Sequence, residues 1–316
     1  MIPVIIGAII IVFTINFLSE ANPAMIKLGI YASNPELLAD MEHEMGLDRP
    51  YIIQFVDYFW GIIRGDFGNS YIYNRSVTWM ISGRIGNTLI ISVGALVVSV
   101  LIGIPLGLIA ALKQNKMADY LTTTIAVLLN AMPSFLIAVM LMLAFAINLR
   151  WFPVSGADSP IGFILPIIAA AMPPVTANAR MTRSSILEVI RQDYVRTARA
   201  KGMAEGIVIS RHVFKNALIP VLTMIGTALG TSLAGAILVE MIFNLPGMGM
   251  LINTSIMTKD FITVQGCVLI CAFIVTVMNL LTDLAYAAVD PRIRAQYKEK
   301  RVKKTRPTAK LPAKAS

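Results

Sequence analysis

Apolar residues in this chain come in long blocks and not in strict alternation with polar ones. Six blocks reach the roughly 20 residues that a helix needs to cross a bilayer: about 2–19, 88–112, 120–149, 161–180, 217–243 and 261–289. They predict six membrane helices, hence an all-α polytopic membrane protein with no soluble domain. The chain then divides into a first helix (1–19), an extracytoplasmic segment (20–87), a five-helix core (88–289) holding a long loop at 181–216, and a tail (290–316). The first block has neither a basic lead nor a small-residue cleavage site, which reads as an anchor and not a removable signal. Gly103 and Gly107, like Gly226 and Gly230, stand four apart on a helix face and permit close helix contact.

Charge sets the orientation. The chain is 56% hydrophobic and 14% charged, with a net charge of +9. A basic balance can signal nucleic acid, but the positive residues sit between the blocks and in the tail, which is a topology signal. The links after blocks two and four hold 2 and 8 Lys or Arg, and the tail holds 10, so 20 of the 27 lie on one side. Both termini are therefore expected in the cytoplasm, with the chain in the cell membrane. Cys267, Cys271, His43 and His212 form no disulfide framework or metal constellation, so no cofactor, metal or nucleic-acid partner is expected.

The segment 20–87 mixes helix-favouring residues, aromatics (Tyr51, Phe55, Tyr58, Phe59, Trp60) and Gly, Asp and Ser turns. It reads as short helices on the outer face, whose aromatics form either an interfacial belt or a docking surface. The tail "KEKRVKKTRPTAKLPAKAS" is a basic low-complexity run suited to anionic lipid.

The loop at 181–216 carries more structure than topology needs. Asp193 is placed to cap a short helix through Tyr194, Arg196, Thr197, Ala198, Arg199 and Lys201, and Gly202 suits the left-handed position after it. Tyr194 and Ala198 share one face at i, i+4. A second helix begins near Glu205 and runs into the fifth block. A short capped helix hung between two membrane helices is a handle.

Polar groups and helix breakers inside the blocks are the remaining candidates. Asn130, Pro133 and Ser134 break the third block, and Pro173 with Pro174 is expected to break the fourth, freeing backbone groups. Each serves either as a packing kink or at the pore. Glu240 and Asp283 are candidate buried partners of cations, or pore and gating residues.

The loop "DYVRTARAKGM … SRHVFKNALIPVLT" resembles that of the permease subunits of binding-protein-dependent ABC importers, in the oligopeptide, dipeptide and nickel permease family. The general signature of such loops, EAA-x3-G-x9-I-x-L-P, meets this one only at Ala198 and Gly202, whereas the peptide-permease version is similar throughout. "RIGNTLIISVGALVVSVLIGIPLGLIAA", "PSFLIAVML", "VEMIFNLPGMGMLI" and "NLLTDLAYAAVDPRIR" extend the resemblance along nearly the whole chain. The family usually opens with basic residues and closes its first span with a P-G-D-P-A-like turn. Here Met1 leads into apolar residues and the turn is "SEANPA", which leaves open an upstream start or a different N-terminal tether.

The resemblance implies six helices of the ABC importer permease type with a cytoplasmic coupling helix at Asp193, Tyr194, Arg196, Thr197, Ala198, Arg199, Lys201 and Gly202. It implies two cytoplasmic ATPase subunits, a second related permease and an extracytoplasmic solute-binding protein as partners, besides the bilayer. The subunit itself would be non-catalytic, and the chain has no G-x-x-x-x-G-K-S/T match. Peptides are the implied cargo, with nickel or another small solute as the alternative within the family. A secondary transporter working without an ATPase is the reading outside it.

Overall fold

The computed structural model describes residues 2–19, 22–157 and 159–289, apart from a few side chains late in the chain. The helices are α1 (Ile2–Phe17), α2 (Pro23–Leu28), α3 (Pro35–Glu44), α4 (Tyr51–Ile63), α5 (Val77–Ser82), α6 (Ile85–Leu112) and α7 (Met117–Ala131). They continue as α8 (Ser134–Leu141), α9 (Ile164–Val189), α10 (Asp193–Ala200), α11 (Glu205–Ile207), α12 (Lys215–Ile242), α13 (Met248–Met257) and α14 (Phe261–Val289). π-helical stretches at Met142–Asn148 and Val208–Phe214 prolong α8 and join α11 to α12.

Among the described residues, four helical runs are long and apolar enough to cross a membrane: Val77–Leu112, Pro160–Val189, Glu205–Gly226 and Phe261–Thr282. The third predicted block is a pair, Met117–Ala131 and Ser134–Asn148, bent by 102°. Pro133 explains the break, since the residue before a proline avoids the helical region, and Met132 is extended at φ −88°, ψ 129°. α1 is apolar but has only 16 described residues, about 24 Å at 1.5 Å per residue.

The fourth block departs from expectation. Pro173 and Pro174 lie inside an unbroken α9. An interior proline costs about 3 kcal/mol in an isolated helix, so tertiary packing has to offset it, and α6 supplies that packing along much of α9. A Cβ on Gly103 would stand 2.7 Å from the Val175 carbonyl oxygen, and one on Gly107 would press still harder on that of Ala179. The α6 glycines thus let two backbones touch, as their spacing predicts. Asn178 donates to Ser99 across the same seam at 3.1 Å.

Two ends of the bundle are distinct. At one, Ala111, Ile186, Val195, Ala198, Val208, Val213 and Ala217 form a core that joins α6, α9, α10 and α12. At the other, the segment 66–77 packs through Phe67 and Val77 against Met248, Leu251 and Cys267 of α13 and α14.

Candidate functional site

The short helix α10 is built from its ends inward. Gln192, extended at φ −70°, ψ 148°, holds the N-cap position and makes no side-chain cap. Asp193 is therefore the first helical residue and not the cap. Its carboxylate still favours the helix start through the peptide dipoles. At the other end the Gly202 amide donates to the Arg199 carbonyl (2.9 Å) and the Met203 amide to that of Ala198 (3.4 Å). That pair of bonds is a Schellman motif, which needs a left-handed residue at its turn. Gly202 supplies it at φ +76°, and a Cβ at this position would meet nothing within 4 Å.

Tyr194 and Ala198, which share a face at i, i+4, differ in burial. Val195 and Ala198 are buried in the chain's own core, whereas Tyr194 is 44% exposed. The buried pair is spaced i, i+3, with Val195 packed in one cluster with Ile186 of α9 and with Val208 and Val213. Ala198 thus anchors the helix from inside. Tyr194, Arg196, Thr197, Lys201 and Gly202 face outward.

Arg199 is engaged within the chain. Its guanidinium fork donates to both Glu205 carboxylate oxygens, at 3.0 and 2.6 Å. The hydrogen-bonded carboxylate raises the Arg199 pKa. The pair closes the turn by tying α10 to the start of α11.

An ion pair with a buried carboxylate and a half-buried guanidinium lies beside this end. Asp119, in the first turn of α7 and 3% exposed, receives Arg183 Nε at 2.5 Å and Nη2 at 2.8 Å. It also accepts the Asn115 amide at 3.0 Å and the Thr123 hydroxyl at 3.4 Å. Sequence reasoning passed over both residues. The available signal was an acid three residues into an apolar helix, which demands a cation from a neighbour.

The pore and gating candidates separate. Asn130 and Pro133 are exposed at the elbow between α7 and α8, and Ser134 is half-buried there. Glu240 meets no cation among its described contacts. It is wholly buried, accepts the Thr88 hydroxyl and takes the Gly249 amide at 2.7 Å. Thr88 in turn accepts the Met248 amide at 2.8 Å. Glu240 thus caps α13 with its carboxyl group, since the first amides of that helix lack partners inside it. The side chain of Asp283 lies outside the described residues.

The same end, away from α10, has a second joint of this kind. Asp260, just before α14, accepts the Ser70 hydroxyl at 2.5 Å, the Thr263 hydroxyl at 2.7 Å and the Tyr71 amide at 3.4 Å. Burial, and then the Asp260 carboxylate, pushes the Tyr71 hydroxyl up to about 12. One buried carboxylate pins the segment 20–87 to the start of α14.

Comparison with known proteins places this architecture. The inward-facing MetNI methionine ABC transporter matches with a TM-score of 0.58 at 16% identity, over 67% of this chain and 97% of that one. The two chains share a fold. This chain belongs to the binding-protein-dependent transport system inner membrane components, whose family description matches residues 103–295 and whose N-terminal companion matches residues 1–92. The dipeptide transport system permease protein DppB of Alkalihalophilus pseudofirmus is 39% identical, over 93% of this chain and 96% of its own length. The glutathione transport system permease protein GsiC of Salmonella typhimurium is 37% identical over the same shares. The chain is thus a multi-pass membrane protein and the permease subunit of a binding-protein-dependent ABC importer.

Proposed function

We propose that the chain forms one half of a translocation pore for short peptides, with α10 as the helix through which separate ATP-hydrolysing subunits drive it. The observation that carries this reading is the construction of α10. Val195 and Ala198 root it in the core that joins α6, α9 and α12, while Tyr194, Arg196, Thr197 and Lys201 face outward. A helix fixed from behind and bare in front suits a groove on a partner, aromatic and apolar at Tyr194 and cationic at Arg196 and Lys201.

In this reading ATP binding brings two cytoplasmic ATPase subunits together. α10 follows as a rigid element and moves α9, which precedes it, and α12, which follows through α11. The chain does no chemistry itself. A second related permease supplies the other half of the pore, and a solute-binding protein delivers cargo to the opposite end. The α10 end and both termini then face the cytoplasm, a reading that the distribution of basic residues supports. Peptide cargo is supported by the names of the relatives, a dipeptide and a glutathione permease among them.

The test is reconstitution in proteoliposomes with the partner permease, the two ATPases and the binding protein. Labelled dipeptide should accumulate only with ATP and all components. Accumulation by the lone chain under an ion gradient would replace this reading with a secondary transporter.

A further inference from the structure

We propose that Asp119 and Arg183 are positioning residues that carry the movement of the α10 end to the elbow of α7 and α8. The inference rests on the coupling role proposed for α10 and extends it to a second helix, with a named link between them.

Arg183 stands six residues before the end of α9. The last turns of α9 are not free to move alone. Ile186, Val195, Ala198 and Ala111 share one core, with Leu187, Val189 and Ile190 packed against it. Upstream, Gly107 brings the α6 backbone against Ala179 and Thr182 of α9. The α6 end, the α9 end and α10 therefore shift as one body.

α7 is attached differently. Of its 15 residues only Asp119 and Ala126 are buried. Tyr120, Leu121, Ile125, Val127 and Leu128 are all more than half exposed. Shallow packing of this kind fixes neither the direction nor the axial position of a helix. The bidentate Asp119–Arg183 pair fixes both, since the guanidinium plane must match the carboxylate plane. Asp119 is also bound to its own end of the helix through the Asn115 amide and the Thr123 hydroxyl. Force applied at Arg183 thus enters α7 at its first turn.

The far end of α7 is the break at Met132 and Pro133, where the chain turns by 102°. Proline has removed the backbone continuity that would resist a change of angle there. A rigid 15-residue helix, driven at one end and hinged at the other, is a lever acting on the elbow. A pair serving only to fasten α7 needs no such geometry, because apolar residues of similar volume fasten as well.

The apolar replacement is therefore the decisive variant. Asp119→Leu combined with Arg183→Met is measured in the full reconstituted importer, alongside Arg183→Lys, which keeps the charge and loses the fork. The readouts are recovery of assembled complex, ATP hydrolysis, and peptide molecules taken up per ATP hydrolysed. The expected result is normal assembly and hydrolysis with uptake per ATP reduced at least about tenfold in the double variant, and partly in Arg183→Lys. Unchanged uptake per ATP in the double variant overturns the proposal, as does a fall in uptake that only follows the amount of complex.

If the double variant does not assemble, the unsubstituted pair decides. Spin labels on exposed Glu188 of α9 and exposed Leu128 of α7 are compared without nucleotide and with ATP trapped. A distance that stays constant while both labels move relative to one at Asn69 supports the link. A Glu188–Leu128 distance that changes between the states overturns it. Failure of the unsubstituted complex to form with its ATPases would sink the α10 reading itself, so the two failures are distinguishable.

Discussion

Glu240 reaches from the end of α12 to the amide of Gly249, and one residue thereby closes one helix and opens the next. Its carbonyl accepts the Leu245 amide at 2.9 Å, and its carboxylate takes the Gly249 amide at 2.7 Å. Asn244, left-handed at φ +48°, makes the turn between them possible. Asparagine is the residue after glycine that best tolerates that conformation at a helix end.

This joint predicts a stability effect and not a loss of cargo recognition. Glu240→Ala strands the Thr88 hydroxyl and buried amides of α13, each at about 1–3 kcal/mol. Glu240→Gln keeps one acceptor and should fall between. Gly247→Ala should be as damaging, because its Cβ would collide with the Glu240 carboxyl carbon. Thermal unfolding of the purified chain in lipid nanodiscs measures the order: parent, then Glu240→Gln, then the other two. An unfolding midpoint for Glu240→Ala equal to the parent would show that α13 needs no side-chain cap.

The turn at Gly202 makes a graded prediction. Its φ of +76° is strained for any side chain, though the space around it is open. Asparagine enters the left-handed region most easily, alanine at about 1 kcal/mol or more, and a β-branched residue worst. ATPase recovery and peptide uptake should therefore fall in the order Gly202, Gly202→Asn, Gly202→Ala, Gly202→Val. Membrane insertion should not change. Equal uptake in all four would reduce the loop to a carrier of positive charge.

The sequence makes local devices legible and leaves partners hidden. The left-handed Gly202, the break at Pro133 and the close approach at Gly103 and Gly107 each depend on one residue's own stereochemistry, and each is found in the structure. Which face of α10 is buried depends on the shape of the core that α6, α9 and α12 make together. Val195 fills it for that reason. Pro173 and Pro174 misled because helix propensity is weaker than a full-length packed neighbour. Glu240, expected beside a cation, instead meets amides whose availability is set by where α13 happens to start. Asp119 and Arg183 lie 64 residues apart, and nothing local in either points to the other.

Arg199 and Glu205 predict a rescue. Arg199→Glu places two carboxylates at the turn, which should splay α10 from α11 and lower ATPase recovery several-fold. Adding Glu205→Arg should restore most of it. Exposed pairs are worth only about 0–1 kcal/mol, and Arg199 and Glu205 side chains are 38% and 59% exposed. The defect in the single variant should therefore shrink in high salt, where exposed charges are screened. If Arg199 instead docked directly on the ATPase, the double variant would remain as defective as the single one.

Orientation yields the last prediction, and the structure supplies well-placed reporters for it. Asn69 and Lys201 are both exposed and lie at opposite ends of the bundle, one beside the Asp260 joint and the other at the end of α10. The natural thiols interfere little, since Cys267 is buried and Cys271 half-buried, and a thiol must ionise in reach of the reagent to react. With 20 of the 27 Lys and Arg on the α10 side and in the tail, the positive-inside rule predicts that this side faces the cytoplasm. In intact cells a membrane-impermeant maleimide should label Asn69→Cys and leave Lys201→Cys untouched. After permeabilisation both should label, which proves that Lys201→Cys is accessible in the folded protein. Labelling of Lys201→Cys in intact cells, with Asn69→Cys protected, would invert the topology and place α10 where no cytoplasmic ATPase could reach it.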